Sequence, residues 1–211
     1  MTKYKALQEI IITGQKDRVK AVVQSLIDSG TDPSEVISEG LINAMSQVGE
    51  RWKAGDLFIP EVILSAEAMK EGMAIARPLI LKDQASSFNL GKVVMATIQG
   101  DVHDIGKNIV GMLMESNGFE LVDLGTDVPV NKCVEAVIRE KPDILGLSAL
   151  LTTTMENMKE VIESLKEAGV RDKVRVMIGG APVTQEFADT IGADGYAADG
   201  LSAVNKAKEL L

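Results

Sequence analysis

Apolar and polar residues follow two different rhythms along this chain, and the change comes near residue 82. Before it the spacing predicts helix after helix. Asp32, Pro33 and Glu35 form a start signal, with an N-cap, a first-turn proline and an acid at the third position. From there Val36, Ile37, Leu41, Ala44, Met45 and Val48 recur at helical spacing. Ala54-Gly55-Asp56 interrupts the pattern, and Pro60 can open a further helix carrying Val62, Ile63, Ala66, Met69, Met73 and Ile75. With shorter segments over 4–13 and 17–29, residues 1–82 read as a four-helix bundle. The polar run Lys82-Asp83-Gln84-Ala85-Ser86-Ser87 reads as linker, which is placed over 83–90.

Beyond the linker, short apolar runs at 93–98, 119–124, 144–147, 174–178 and 195–197 predict strands. Helical patterns over 105–117, 130–140, 155–168, 184–191 and 201–211 alternate with them. Such alternation predicts an α/β domain over 91–211, a Rossmann-like (flavodoxin-like), doubly wound parallel sheet of five strands. Folds of this class bind ligands beyond the carboxyl ends of their strands. The ends of the first, third and fourth strands carry Asp101 and His103, Ser148, and Gly179-Gly180.

Composition narrows the function. At 45% hydrophobic and 25% charged, the 211 residues suit a globular chain with a real core. A net charge of −9 without a basic run argues against nucleic acid as the main partner. No apolar stretch approaches the roughly 18–20 residues of a membrane span, and the N-terminus lacks the core of a signal peptide. Cys133 is the single cysteine, so no internal disulfide forms and a cytoplasmic setting is expected. The ten methionines read as core filler.

His103 is the only histidine. Asp101, two residues upstream in the same turn, can accept one ring N–H, fix the tautomer and make the other nitrogen a better metal ligand. Several chemistries are excluded around it. Five residues separate Gly100 from Gly106 where a phosphate loop has about four, and Asn108 stands where that loop needs Ser or Thr. A dinucleotide fingerprint is absent. The third strand ends in Gly146-Leu147-Ser148, without the acceptor aspartate of a phospho-receiver. One His and one Cys do not make a zinc site, and Gly-x-Ser-x-Gly does not occur.

Taken in order, Asp101-x-His103-x-x-Gly106, Ser148-x-Leu150 and Gly179-Gly180 resemble the cobalamin-binding signature. The parts are separated by 41 residues (107–147) and 28 residues (151–178), spacings similar to that family's. The first part alone is a weak signal; three parts in order on strand ends are specific. The helical half looks like the cap that precedes this domain in methyl-carrying corrinoid proteins, so the likeness spans the chain. It extends to stand-alone corrinoid proteins of methyltransferase systems and to the matching region of cobalamin-dependent methionine synthase.

The resemblance implies a bound cobalamin or related corrinoid whose own lower base has left cobalt, with His103 as the lower axial ligand in its place. Asp101 then orients the imidazole, and Thr154 completes a ligand–acid–hydroxyl relay. Gly179 and Gly180 leave room for the displaced nucleotide tail, and Ser148 and Thr152 can hydrogen-bond its base. Gly106 permits close backbone approach. Gly100, Val102, Asp104, Ile105, Leu150, Ala198 and Gly200 complete the implied contacts in this domain. Trp52 and Ile59 are placed like the apolar residues that cover the upper corrin face, where they would shield bound methyl and reduced cobalt. Plainer readings stand beside these: Gly179-Gly180 as a strand-end turn, 152–154 as an N-cap cluster, Trp52 and Phe58 as bundle core.

The function so implied is methyl carriage. Co(I) accepts a methyl group from a substrate-specific methyltransferase, and a second methyltransferase passes it to tetrahydrofolate or coenzyme M. A reductive activase is a further implied partner; nucleic acid and membrane are not. The cap must move for each partner, with 82–90 as the expected hinge. With no second histidine, the upper face of cobalt is free to carry methyl. The alternatives are a cobalamin-responsive regulator acting through a protein partner, and the cobalamin subunit of a mutase. The absent second histidine counts against a light sensor, and the helical half against a mutase. The methyl donor is not legible.

Overall fold

The computed structural model describes residues 3–79 and 89–211. They fall into two compact units, one helical and one built on a sheet. The stretch read as linker and hinge lies outside the described residues, apart from Asn89 and Leu90.

The helical unit begins with α1 (Lys5–Ile12) and α2 (Lys16–Asp28). Next come α3 (Pro33–Glu35), a π-helix (Val36–Ile42) and α4 (Asn43–Ala54), which follow one another without a break. The start signal works locally: Asp32 caps by accepting the Ser34 N–H at 2.7 Å. Glu35, expected to serve the cap, instead accepts the Tyr4 hydroxyl at 2.8 Å. The helical spacing alone does not predict the π-helix. It brings Gly40 against α1, where a β-carbon would lie 2.7 Å from Leu7 Cδ2. Gly55 ends α4 in the left-handed conformation, φ +83°, which a glycine adopts without a steric penalty. α5 (Ile59–Ala76) opens with the Glu61 carboxylate accepting the Phe58 N–H at 2.8 Å, and Pro60 in its first turn. Its buried residues Val62, Ala66 and Met69 share the interior with Leu7, Ile11, Val19 and Leu41.

In the other unit, β1 (Gly91–Thr97), β2 (Phe119–Asp123), β3 (Ile144–Ser148), β4 (Arg175–Gly179) and β5 (Gly195–Ala197) form one sheet in the order β2-β1-β3-β4-β5. Every neighbouring pair is parallel. The connecting helices are α6 (Ile105–Ser116), α7 (Val130–Glu140), α8 (Thr152–Met155), α9 (Asn157–Glu167) and α10 (Gln185–Ile191), and α11 (Gly200–Leu210) closes the chain. This is the flavodoxin-like order, with its topological switch between β1 and β3. The middle strands are buried almost continuously, as a sheet covered on both faces requires. Val94, Ala96, Leu145, Leu147 and Val176 form a core with Cys133 and Val137 of α7 and with Val161, Ile162 and Leu165 of α9.

Register does most to build the site. Thr97 pairs with Ser148, Ser148 with Gly179, and Gly179 with Ala197. The ends of four strands therefore stand in one row, and the loops that follow them emerge on one edge. Among the described residues no helix is long and apolar enough to cross a membrane.

Candidate functional site

The loop after β1 turns at Gly100, whose φ of +83° is left-handed. The next residue, Asp101, is fully buried. Its Oδ1 accepts the His103 backbone N–H at 3.1 Å and lies 2.7 Å from His103 Nδ1. Its Oδ2 accepts the Leu150 N–H at 2.7 Å, the Leu151 N–H at 3.3 Å and the Thr154 hydroxyl at 2.9 Å. Burial alone pushes this carboxyl up. The hydrogen bonds from Leu150, His103 and Thr154 outweigh it and hold the group well below the usual carboxylate range.

An ionised Asp101 can only accept, so the imidazole donates from Nδ1, which in the neutral ring leaves Nε2 as the nitrogen with the lone pair. His103 is half exposed, at 48% of its side chain, and Nε2 has no partner among the described residues. Its carbonyl accepts the Thr97 hydroxyl at 3.0 Å, which ties the loop that carries His103 to the end of β1. In the loops that carry His103 and the donors to Asp101, Val102 (70%), Ile105 (76%), Leu150 (44%) and Leu151 (42%) are exposed. The result is a nitrogen donor oriented by Asp101, in loops that carry exposed apolar side chains. Among the described residues no three His, Cys, Asp or Glu side chains converge to hold a bare ion. A single nitrogen beside apolar surface fits a metal that a flat organic macrocycle already holds on its other sides.

The structure brings Asp101, His103 and Thr154 together as expected. The capping alternative does not apply to the threonines: no side chain caps α8, and the Thr154 hydroxyl lies between Asp101 and the Leu151 carbonyl. Thr152 and Ala198 are exposed, and Ser148 is partly exposed. Gly106 is exposed too, and a β-carbon there would have no neighbour within 4 Å. Asp104 accepts from Asn108 at the start of α6.

The glycines prove more constrained than their reading as ligand space. A β-carbon on Gly180 would lie 1.8 Å from the Ala149 carbonyl oxygen, and one on Gly179 2.9 Å from that of Ala197. The fold itself needs both. Gly200 is likewise buried, with the position of a β-carbon 2.5 Å from Leu113 Cδ1. In the helical unit Trp52 is half buried and Ile59 47% exposed. Phe58, read alternatively as bundle core, is instead 70% exposed.

Sequence reasoning missed Leu151, which lends both an N–H and apolar surface. It missed the buried Lys107, paired with Asp123 at the foot of the next loop. It also missed Asp127, which bonds Gly100 from that loop. None belongs to the three-part motif, and only the fold places them beside it.

The strand order and the position of the site define a class: doubly wound parallel α/β proteins whose site lies at the carboxyl edge of the sheet. Residues 91–205 match the B12 binding domain model, and residues 4–77 match a second B12 binding domain model. The chain is 49% identical to the dimethylamine corrinoid protein of Methanosarcina barkeri, over 100% of both sequences. A cobalamin-binding protein from Desulfitobacterium hafniense superposes with a TM-score of 0.82 at 32% identity, covering 100% of each chain. A chain of the methanol:cobalamin methyltransferase complex of Methanosarcina barkeri gives a TM-score of 0.81 at 37% identity, over 96% of this chain and 75% of that one. The chain belongs to the B12-binding family, among the corrinoid proteins of methyltransferase systems. Its cofactor is a cobalamin or related corrinoid.

Proposed function

We propose that this protein carries a methyl group on the cobalt of its corrinoid, from a substrate:corrinoid methyltransferase to a second methyltransferase that serves tetrahydrofolate or coenzyme M. The observation that carries the reading is the half-exposed His103, its Nδ1 locked to a buried, ionised Asp101 and its Nε2 free. Bound there, the corrinoid would supply a cobalt centre that accepts and releases methyl.

The residues have distinct tasks in this reading. His103 Nε2 would hold the cobalt of the corrinoid, and Asp101 would set the tautomer and orientation of the ring. Thr154 keeps Asp101 a pure acceptor and closes the relay. Val102, Ile105, Leu150 and Leu151 give the corrin an apolar seat. Ser148 and Thr152 face the nucleotide tail. Residues 91–211 form the binding domain and 1–82 the cap, in which Trp52 and Ile59 would be the residues that shield bound methyl.

The likeness to a dimethylamine corrinoid protein along its full length supports a methylated amine as donor class. The complex that contains a 37% identical chain supports a dedicated methyltransferase as partner. A reductive activase fits the need to keep cobalt reduced. In this reading the carrier alone binds cofactor and shows little turnover.

The test reconstitutes wild type and His103→Ala with hydroxocobalamin and compares visible spectra and affinity. Wild type is expected to show the spectrum of an imidazole-ligated cobalt, and His103→Ala to lose it. Matching spectra and affinities overturn the ligand assignment. Methyl transfer from a panel of methylamines and methanol, each with its own methyltransferase, then identifies the donor.

A further inference from the structure

Asp127 lies outside the three-part motif, yet its contacts converge on the turn that carries His103. It sits in the loop after β2. Its Oδ1 accepts the Gly100 N–H at 2.7 Å, and its own N–H donates to the Asp101 carbonyl at 2.8 Å. One residue thus grips the two peptide units that flank the Gly100–Asp101 peptide, one through its side chain and one through its main chain. The neighbouring chain reinforces the grip: Thr97 N donates to the Gly125 carbonyl, and Val128 N donates to the Thr97 carbonyl, each at 3.0 Å.

Asp127 holds φ +51°, in the left-handed region that a β-carbon disfavours. Asp and Asn tolerate this conformation better than other side chains, and glycine tolerates it best. A residue kept there while both its polar groups serve one neighbouring turn is a clamp built for that turn. The Asp101 carboxylate is fixed by Leu150, Leu151 and Thr154 from one side. The peptide units that carry it are fixed by Asp127 from the other. Both halves are needed before the direction of the imidazole is set.

We propose that Asp127 is a positioning residue for His103, holding the Gly100–Asp101 turn so that Nε2 is presented in one direction for axial ligation. This rests on the reading of His103 as axial ligand. The bonds of Asp127 to this turn run to the backbone of Gly100 and Asp101, so its effect reads out in ligation more than in cofactor uptake.

Two variants separate its two roles. Asp127→Asn keeps an acceptor oxygen and the tolerance of positive φ. Asp127→Gly relieves the backbone and deletes the acceptor. Each full-length protein is loaded with aquacobinamide, a corrinoid without a lower base of its own, and reduced to Co(II), and the nitrogen coupling in its electron paramagnetic resonance spectrum gives the ratio of histidine-on to histidine-off cobalt. A charge-assisted hydrogen bond to a backbone N–H predicts an about tenfold shift toward histidine-off in Asp127→Gly. Asp127→Asn is expected to stay close to wild type.

An unchanged ratio in Asp127→Gly overturns the proposal. So does an equal loss in both variants, because the amide keeps the bond. His103→Ala, measured alongside, keeps the two claims apart. Its loss of nitrogen coupling upholds axial ligation whatever Asp127 does, and its retention of that coupling overturns the ligation on which the proposal rests. Should Asp127→Gly fail to fold, Asp127→Ser, too short to reach Gly100, reads the same ratio with the same expected shift.

Discussion

Asp101 shows at the scale of one residue which part of a site is local. Its bond to the His103 N–H spans two residues, a turn that the Asp-x-His spacing makes by itself. The donors to its other oxygen lie 49 to 53 residues away, and no local pattern announces them. Cys133 is a second case. No motif claims it, and the structure buries it completely in the core of the sheet unit. Burial pushes its thiol from 9.0 up to about 12. The folded state therefore holds this proton more tightly than the unfolded chain. The stability it contributes is fully present below pH 9.0 and declines as pH rises toward about 12. Urea unfolding of wild type and Cys133→Ala at about pH 8 and about pH 10.5 checks this, with the difference expected to move by about 2 kcal/mol in favour of the variant at the higher pH. A difference independent of pH would mean that the thiol is not buried as described.

Elements were legible where periodicity is strict and less so where tertiary contacts intervene. All five strands appear where the apolar runs placed them, shifted by a residue or two at their ends. The helix expected over 155–168 begins earlier, as α8 at Thr152, because the chain after β3 must turn to bring Leu150, Leu151 and Thr154 onto Asp101. The π-helix over Val36–Ile42 was invisible, since an apolar spacing near four residues fits an α-helix equally well. At the glycine turns the structure separates two kinds of need. Gly106→Ala meets no neighbour and lies in α6, so apo stability should hold or rise by up to about 1 kcal/mol. Cobalamin affinity should fall, because a methyl group enters the proposed seat. Gly180→Ala drives a β-carbon into the Ala149 carbonyl at positive φ and should cost the apo protein about 3 kcal/mol or more. Urea melts and hydroxocobalamin titrations on both variants read the split. Equal effects of the two on apo stability would contradict it.

The whole molecule combines two units with separate cores, and the proposed division of labour gives the helical one the task of cover. Trp52 and Ile59 are the residues to test, since neither is fully buried and their loss should leave the bundle standing. In protein loaded with hydroxocobalamin and reduced to Co(II), Trp52→Ala with Ile59→Ser should be reoxidised by air several-fold faster than wild type. The visible spectrum follows the rate, and equal rates would remove these residues from the cover. By itself, the sequence determined the two classes of element, the parallel α/β sheet, the cofactor family and the Asp101–His103 pair. The elements, the sheet and the pair depend on periodicity or on contacts between near neighbours, which the chain encodes locally, whereas the cofactor family was implied by the resemblance of the three-part signature to a known family. Only the tertiary structure decided the rest. Strand register aligned Thr97, Ser148, Gly179 and Ala197 in one row, and the β3–α8 turn supplied the donors to Asp101. The chain's own carbonyls made Gly179 and Gly180 obligatory, and the loop after β2 placed Asp127 on the ligand turn. Each of these joins residues distant in the chain, and such contacts exist only once the sheet has brought its ends together.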